Sequence, residues 1–121
     1  MAKKQINPTD LLLQNIVKGM QEKKALSISV LNLEKINASV ADFFVICHGS
    51  NQRQVEAISE SVEIEVHKAL KEWPWHTEGQ SNSEWILLDY INVVVHVFME
   101  EKREFYALEE LWGDAEITQF E

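Results

Sequence analysis

Apolar residues recur along this chain with two periods, and the switches between them mark out its elements. Over residues 8–24, Leu12, Leu13, Ile16, Val17 and Met20 repeat at helical spacing and form one apolar face. Pro8 suits a first helical turn and Asn7 the cap before it; the Glu22-Lys23-Lys24 stretch suits a C-terminal turn, where cations meet the negative end of the helix dipole. Over residues 26–34 the period drops to two: Leu26, Ile28 and Val30 point one way, Ser27 and Ser29 the other, as in a half-buried strand. Asn37 and Ser39 supply turn chemistry. Phe43, Phe44, Val45, Ile46 and Cys47 then run without a polar break, the pattern of a central strand covered on both faces. Asp42, before that run, either pairs at the strand entrance or is a solvated turn residue. Gly49-Ser50-Asn51 ends the strand and opens a long helix over residues 52–72, with Val55, Ile58, Val62, Val66, Ala69, Leu70 and Trp73 at intervals of three and four; Pro74 stops it. Residues 75–84 are polar and read as a short strand or loop around Gly79. Residues 85–90 and 93–99 are rich in β-branched and aromatic side chains and form two strands of a hairpin joined by Ile91-Asn92. A last helix over residues 101–112 places Phe105, Leu108 and Trp112 on one face.

This order predicts an α/β (α+β) fold: a mixed β-sheet of about five strands with three helices packed on it. Residues 1–7 read as a short tail, 8–113 as one domain, and 114–121 as an acidic end expected to fray. The chain has 121 residues, 45% of them hydrophobic, which is enough for one core and too apolar for a disordered chain. Cys47 is the only cysteine, so no internal disulfide forms; within its apolar run it reads as a small core hydrophobe, and a reducing compartment fits. The polar Met-Ala-Lys-Lys-Gln start lacks the apolar stretch of a signal peptide, and the apolar runs are too short to span a bilayer, so no membrane partner and a cytoplasmic location are expected. The formal net charge is −9, unevenly spread: residues 1–24 carry five lysines against two acids, whereas residues 100–121 carry eight acids against Lys102 and Arg103. Such a surface repels nucleic acid, so little direct nucleic-acid contact is expected; it favours encounter with a basic protein, or serves solubility alone.

The enzyme candidates are weak. His48-Gly49-Ser50 sits between a strand and a helix, where phosphates often bind, but it lacks the further glycines and the lysine of a P-loop. Glu63-Ile64-Glu65 matches in text the carboxylate pair with which nucleotidyltransferases hold metal ions; on a helix, residues two apart diverge and do not converge on one ion. Ser50 followed by Asn51 reads as a cap rather than a nucleophile, which would need a base and a positioned third group. His48, His67, His76 and His96 are scattered, with no pair at metal-ligand spacing on one element. No catalytic residue, metal site or cofactor is assigned.

The denser signal is aromatic. Trp85, Tyr90, Phe105, Tyr106 and Trp112 fall close together beside Asp89, Glu109 and Glu110. Phe98 and Phe105 are assigned to the core. A strand carrying large residues on both faces, as Trp85 and Tyr90 do, often exposes one of them, and exposed Trp and Tyr beside a polar rim are typical binding hot spots. Alternation puts Trp85, Leu87 and Asp89 on one side and Ile86, Leu88 and Tyr90 on the other. Either Tyr90 turns at the hairpin to join Trp85, or one of the two aromatics is core.

At these residues the chain resembles the Iojap-like ribosomal silencing factors. The resemblance is carried by Ala41-Asp42-Phe43-Phe44-Val45-Ile46, by Gly49-Ser50-Asn51-Gln52-Arg53-Gln54-Val55 with Ala57-Ile58, by Trp85-Ile86-Leu87-Leu88-Asp89-Tyr90, by Val93-Val94-Val95-His96-Val97-Phe98, and by Arg103 through Trp112. It implies a nucleotidyltransferase-like fold without enzyme activity, binding to large-subunit ribosomal protein fourteen, exclusion of the small subunit when nutrients run short, and a homodimer. Carried over residue by residue, the docking surface implied comprises Trp85, Leu87, Asp89, Tyr90, His96, Arg103, Tyr106, Leu111 and Trp112, with His96 and Arg103 either touching the partner or supporting the fold. Two positions depart from the family pattern. Ile91-Asn92 replaces the usual Gly-Asp, with Asn92 expected to take the positive φ of the hairpin turn, and Asn51 stands where Ser or Thr is usual. The competing functions are a nucleotidyltransferase-like enzyme using Gly49-Ser50, and a generic ribosome-assembly adaptor using the same aromatic patch.

Overall fold

The computed structural model describes residues 7–36 and 40–121; the turn expected at Asn37 and Ser39 and most of the N-terminal tail lie outside them. Helix α1 (Pro8–Glu22) starts where Asn7 Oδ1 accepts the Thr9 amide proton at 2.7 Å, satisfying one of the donors that a helix start leaves unpaired. Strands β1 (Leu26–Asn32) and β2 (Phe43–Gly49) follow. Asn51 caps α2 (Gln52–Leu70) in the same way, its Oδ1 accepting the Gln54 amide proton at 2.8 Å. Then come β3 (His76–Glu78), β4 (Trp85–Asp89), β5 (Val93–Met99), α3 (Glu100–Tyr106), α4 (Leu108–Leu111) and β6 (Glu116–Phe120).

The strands form one mixed sheet in the order β3-β4-β5-β2-β1-β6. Only β2 and β5 run parallel; every other neighbouring pair is antiparallel. Helices α1 and α2 cover one face. Their apolar stripes (Leu12, Ile16 and Met20; Val55, Ile58, Val62 and Val66) close on Ile28, Val45, Cys47, Ile86, Leu88, Val93, Val95 and Val97. The two helices meet at Gly19, where an added Cβ would lie 2.6 Å from Val62 Cα, so no larger residue fits the crossing. Glu65 is buried at the same seam, with Lys18 and Lys68 each 3.5 Å from its carboxylate. Gly79, at φ +90°, lets the chain pass under β4, where a Cβ would collide with the Trp85 carbonyl.

The fold is the expected α+β class, with differences that have physical causes. There are six strands among the described residues: residues 116–120, expected to fray, pair antiparallel with β1. The single helix expected over 101–112 is two, broken where Ala107 takes a left-handed conformation (φ 46°, ψ 50°). Phe105 consequently leaves the core it was assigned to and is 77% exposed. Trp73 falls outside α2 and stands in solvent, its ring stacked on His67 at 4.0 Å. In the hairpin, Ile91 and not Asn92 carries the positive φ, at 77°.

Candidate docking face

The face of the sheet turned away from α1 and α2 is where the predicted residues gather. Register aligns them in rows. Trp85 pairs with Phe98, Leu87 with His96 and Asp89 with Val94, and the parallel partner β2 extends the rows to His48, Ile46 and Phe44. The floor is fully packed: Phe44, Ile46, Val94 and Phe98 are buried, and Trp85, Leu87, Leu108 and Trp112 lean on them half-buried. The Trp85 ring stacks on Phe98 at 4.8 Å and lies 4.6 Å from Tyr106. Phe44 meets His96 edge-on at 4.7 Å and Trp112 at 5.9 Å. Above this floor Tyr106, Phe105 and Leu111 project, the last two 77% and 72% exposed. These three exposed side chains on α3 and α4 stand beside Glu101, Glu104 and Glu110, which also face solvent; others, Trp73 and Trp75 among them, are exposed elsewhere on the domain.

Arg103 holds this rim in place from beneath. Its Nε and Nη2 donate to the two carboxylate oxygens of Glu109, each at 3.0 Å. Nη1 donates to the Ser27 carbonyl at 2.7 Å and to His48 Nδ1 at 2.9 Å, and Nη2 reaches Ser29 Oγ at 3.3 Å. Since guanidinium only donates, His48 Nδ1 is unprotonated there; burial first, then the Arg103 charge, lowers the His48 pKa. One buried cation thereby ties α3 both to the start of β1 and to α4, on either side of the left-handed Ala107, where no Gly or Pro stands. Of the implied docking residues, Arg103 is therefore interior.

His96 is interior as well, 4% exposed, and accepts a hydrogen bond at Nδ1 from Trp85 Nε1 at 3.1 Å. Burial holds its pKa down to about 4. Tyr90 is not brought to this face, and the expectation that it docks beside Trp85 is corrected. β4 ends at Asp89, Tyr90 points to the helix side, and its ring joins the core under α1 and α2. Burial, with Glu63 and Glu72 nearby, pushes its hydroxyl pKa up. Asp89 has a local task too: its Oδ1 accepts the Ile91 amide proton at 2.7 Å and shapes the hairpin turn.

The groups considered for chemistry are occupied otherwise. Asn51 and Gln54 engage the start of α2 from within, the Ser50 amide donating to Gln54 Oε1 at 2.7 Å, so these positions do not present a free phosphate cradle. Glu65 pairs with lysines at the helix seam, while Glu63 sits half-buried, raised in pKa by burial and then by Glu60, so the two do not converge. Cys47 is fully buried, its thiol pushed up to about 12. Among the described residues, no helix is long and apolar enough to cross a membrane, and no three His, Cys, Asp or Glu side chains are grouped to hold a metal.

Fold and face together define a small α+β domain with a half-covered aromatic sheet face and an acidic rim. Residues 6–121 match the family described as "ribosomal silencing factor during starvation" (RsfS), and the chain belongs to that family. It is 41% identical over 113 residues to the ribosomal silencing factor RsfS of Halalkalibacterium halodurans, covering 91% of this chain and 92% of that one. It is 39% identical to the RsfS of Bacillus subtilis over 80% of each chain. The chloroplastic protein Iojap of Zea mays is 34% identical over 84% of this chain and 43% of its own. Crystal structures of proteins from Bacillus halodurans (35% identity, TM-score 0.75, covering 92% of this chain and 97% of that one) and Chromobacterium violaceum (28% identity, TM-score 0.79, 85% and 84%) share the fold. The two RsfS relatives carry the name of a regulatory role rather than of a reaction.

Proposed function

We propose that the chain represses translation from the cytoplasm by docking its aromatic face on large-subunit ribosomal protein fourteen, where its bulk obstructs the small subunit. The observation that carries this reading is the gathering of Trp85, Leu87 and Trp112 on one half-covered sheet face, with Tyr106 against Trp85 and Leu111 exposed on the neighbouring, acid-rich α4. Large amphipathic rings over a packed floor supply contact area at low entropic cost, and the acids steer a basic partner. No bond is made or broken; occupancy is the mechanism. His96 and Arg103 shape the face from below, and Tyr90 supports the domain from the opposite side.

Trp85→Ala is expected to weaken binding to purified large subunits by about 2 kcal/mol, as loss of a central aromatic anchor does. In a light-scattering assay it should also relieve the block to subunit association. Unchanged co-sedimentation of Trp85→Ala with large subunits, at a salt concentration where the wild type is half-bound, would remove this face from the reading.

A further inference from the structure

We infer that His96 is a positioning residue for docking: its Nδ1 fixes the Trp85 indole across the sheet face in the orientation that a partner meets. The inference rests on the docking reading above and deepens it. Three observations carry it. Trp85 Nε1–H can only donate, so the 3.1 Å contact with His96 Nδ1 requires that nitrogen to be an acceptor and puts the proton of the neutral ring on Nε2. That Nε2 is buried and finds no hydrogen-bond partner among the described residues. Finally, the pair is cross-strand but diagonal: Trp85 stands opposite Phe98, and His96 opposite Leu87, so the bond draws the indole along the sheet over two rows at once.

These facts do not describe a stabilising core residue. An apolar side chain of similar volume at position 96, facing Phe44 and Phe98, would avoid a buried unpaired donor, which is destabilising. What histidine provides there and Leu does not is an acceptor for the indole. Without it, Trp85 keeps its stacking on Phe98 but loses the one directional bond that selects its rotation, and the ordering entropy is then charged to binding.

The experiment compares His96→Leu, His96→Asn and Trp85→Ala for thermal midpoint, for the indole Nε1 proton–nitrogen resonance of Trp85, and for affinity toward purified large subunits. In His96→Leu the midpoint is expected to hold or rise, the Trp85 indole proton to lose its hydrogen-bonded shift, and affinity to fall about tenfold. In His96→Asn the amide oxygen stands where Nδ1 stood, so the shift and most of the affinity should return. A folded His96→Leu that binds within twofold of wild type, while Trp85→Ala binds poorly, overturns the positioning role alone. Normal binding by Trp85→Ala overturns the docking reading and this inference with it. If affinity merely follows the thermal midpoint across the three variants, His96 is structural and the inference fails.

Discussion

The two faces of the sheet use the same strands for opposite ends. The helix-side face is mainly aliphatic and closed at its centre: Val45, Val93, Val95 and Val97 are wholly covered by α1 and α2, with the Tyr90 ring beside them. The other face is aromatic and half open, its rings stepping from the buried Phe44 and Phe98 through Trp85 and Trp112 to the exposed Phe105. β-Branched aliphatics fill a closed space with few rotamers and no polar atoms; rings with a donor tip tolerate a wet boundary and keep contact area in reserve. The difference separates the residues that hold the domain together from those available to a partner.

Substitutions that act on only one face test that separation. Ile58, fully buried between α2 and the sheet, should show the largest effect on stability. Ile58→Ala is expected to lower the unfolding free energy by about 3–4 kcal/mol in urea titration, through lost transfer energy and a residual cavity. The affinity of the folded fraction for large subunits should not change. Trp85→Ala should shift the balance the other way, losing about 2 kcal/mol of binding and less stability than Ile58→Ala, although His96 Nδ1 then loses its donor. If both variants lose binding in proportion to stability, the faces are not separate.

Arg103 is where the two demands meet. Truncation to Ala leaves the Ser27 carbonyl and His48 Nδ1 without their donor and frees Glu109 from its bidentate pair. A cost of about 3 kcal/mol is expected, in line with breaking an interior ion pair from one side. Hydrogen exchange should then rise in α4 and the start of β1 before it rises in α2. Protection lost evenly over the whole domain would show that the arginine does not organise α3 and α4 in particular.

Acid tests the aromatic face from within. Burial lowers the His96 pKa from 6.5 to about 4. Between those values the unfolded chain takes up a proton that the folded chain refuses, so folded stability is complete above pH 6.5 and falls as the pH drops toward 4. The loss attributable to this group is on the order of 2–3 kcal/mol. His48, also lowered, adds to it in the same direction. Urea midpoints of the wild type and His96→Leu taken across this range should diverge steadily on acidification; parallel curves would mean that the buried imidazole is not what acid attacks.

Much of this architecture was legible in the residues. Both helix caps, at Asn7 and Asn51, the uninterrupted Phe43–Cys47 strand and the alternation of β4 appear as read, because each depends on local chemistry and on burial of one face. What escaped depends on distant partners. Residues 101–112 scan as one helix; the break at Ala107 goes with the reach of Arg103 to β1, seventy-odd positions earlier in the chain. β6 has no buried side chain and exists through its backbone ladder with β1, so no hydrophobic period announces it. Between Trp85 and Tyr90, alternation put Tyr90 with Ile86 and Leu88, where the structure keeps it; what alternation left open was whether the hairpin turn would swing Tyr90 across.

That turn gives the smallest expected effect, and it decides which aromatic goes to which face. The Asn92 amide donates to the Tyr90 carbonyl at 3.1 Å, closing a three-residue turn around Ile91 at φ 77°. A β-branched side chain is disfavoured there by contact between its Cβ and the backbone, at a cost of about 1–2 kcal/mol. Ile91 is 64% exposed, so its side chain returns little by burial. Ile91→Gly removes the clash but adds backbone freedom to the unfolded chain, leaving a net gain of about 1 kcal/mol. The expected result is a higher urea midpoint with an unchanged slope, because Asp89 Oδ1 still holds the turn amide and neither face is altered. A lower midpoint would mean that Ile91 is not strained, and that the turn keeps Asp89 and Tyr90 on their separate faces by Ile91 packing rather than by the hydrogen bonds around it.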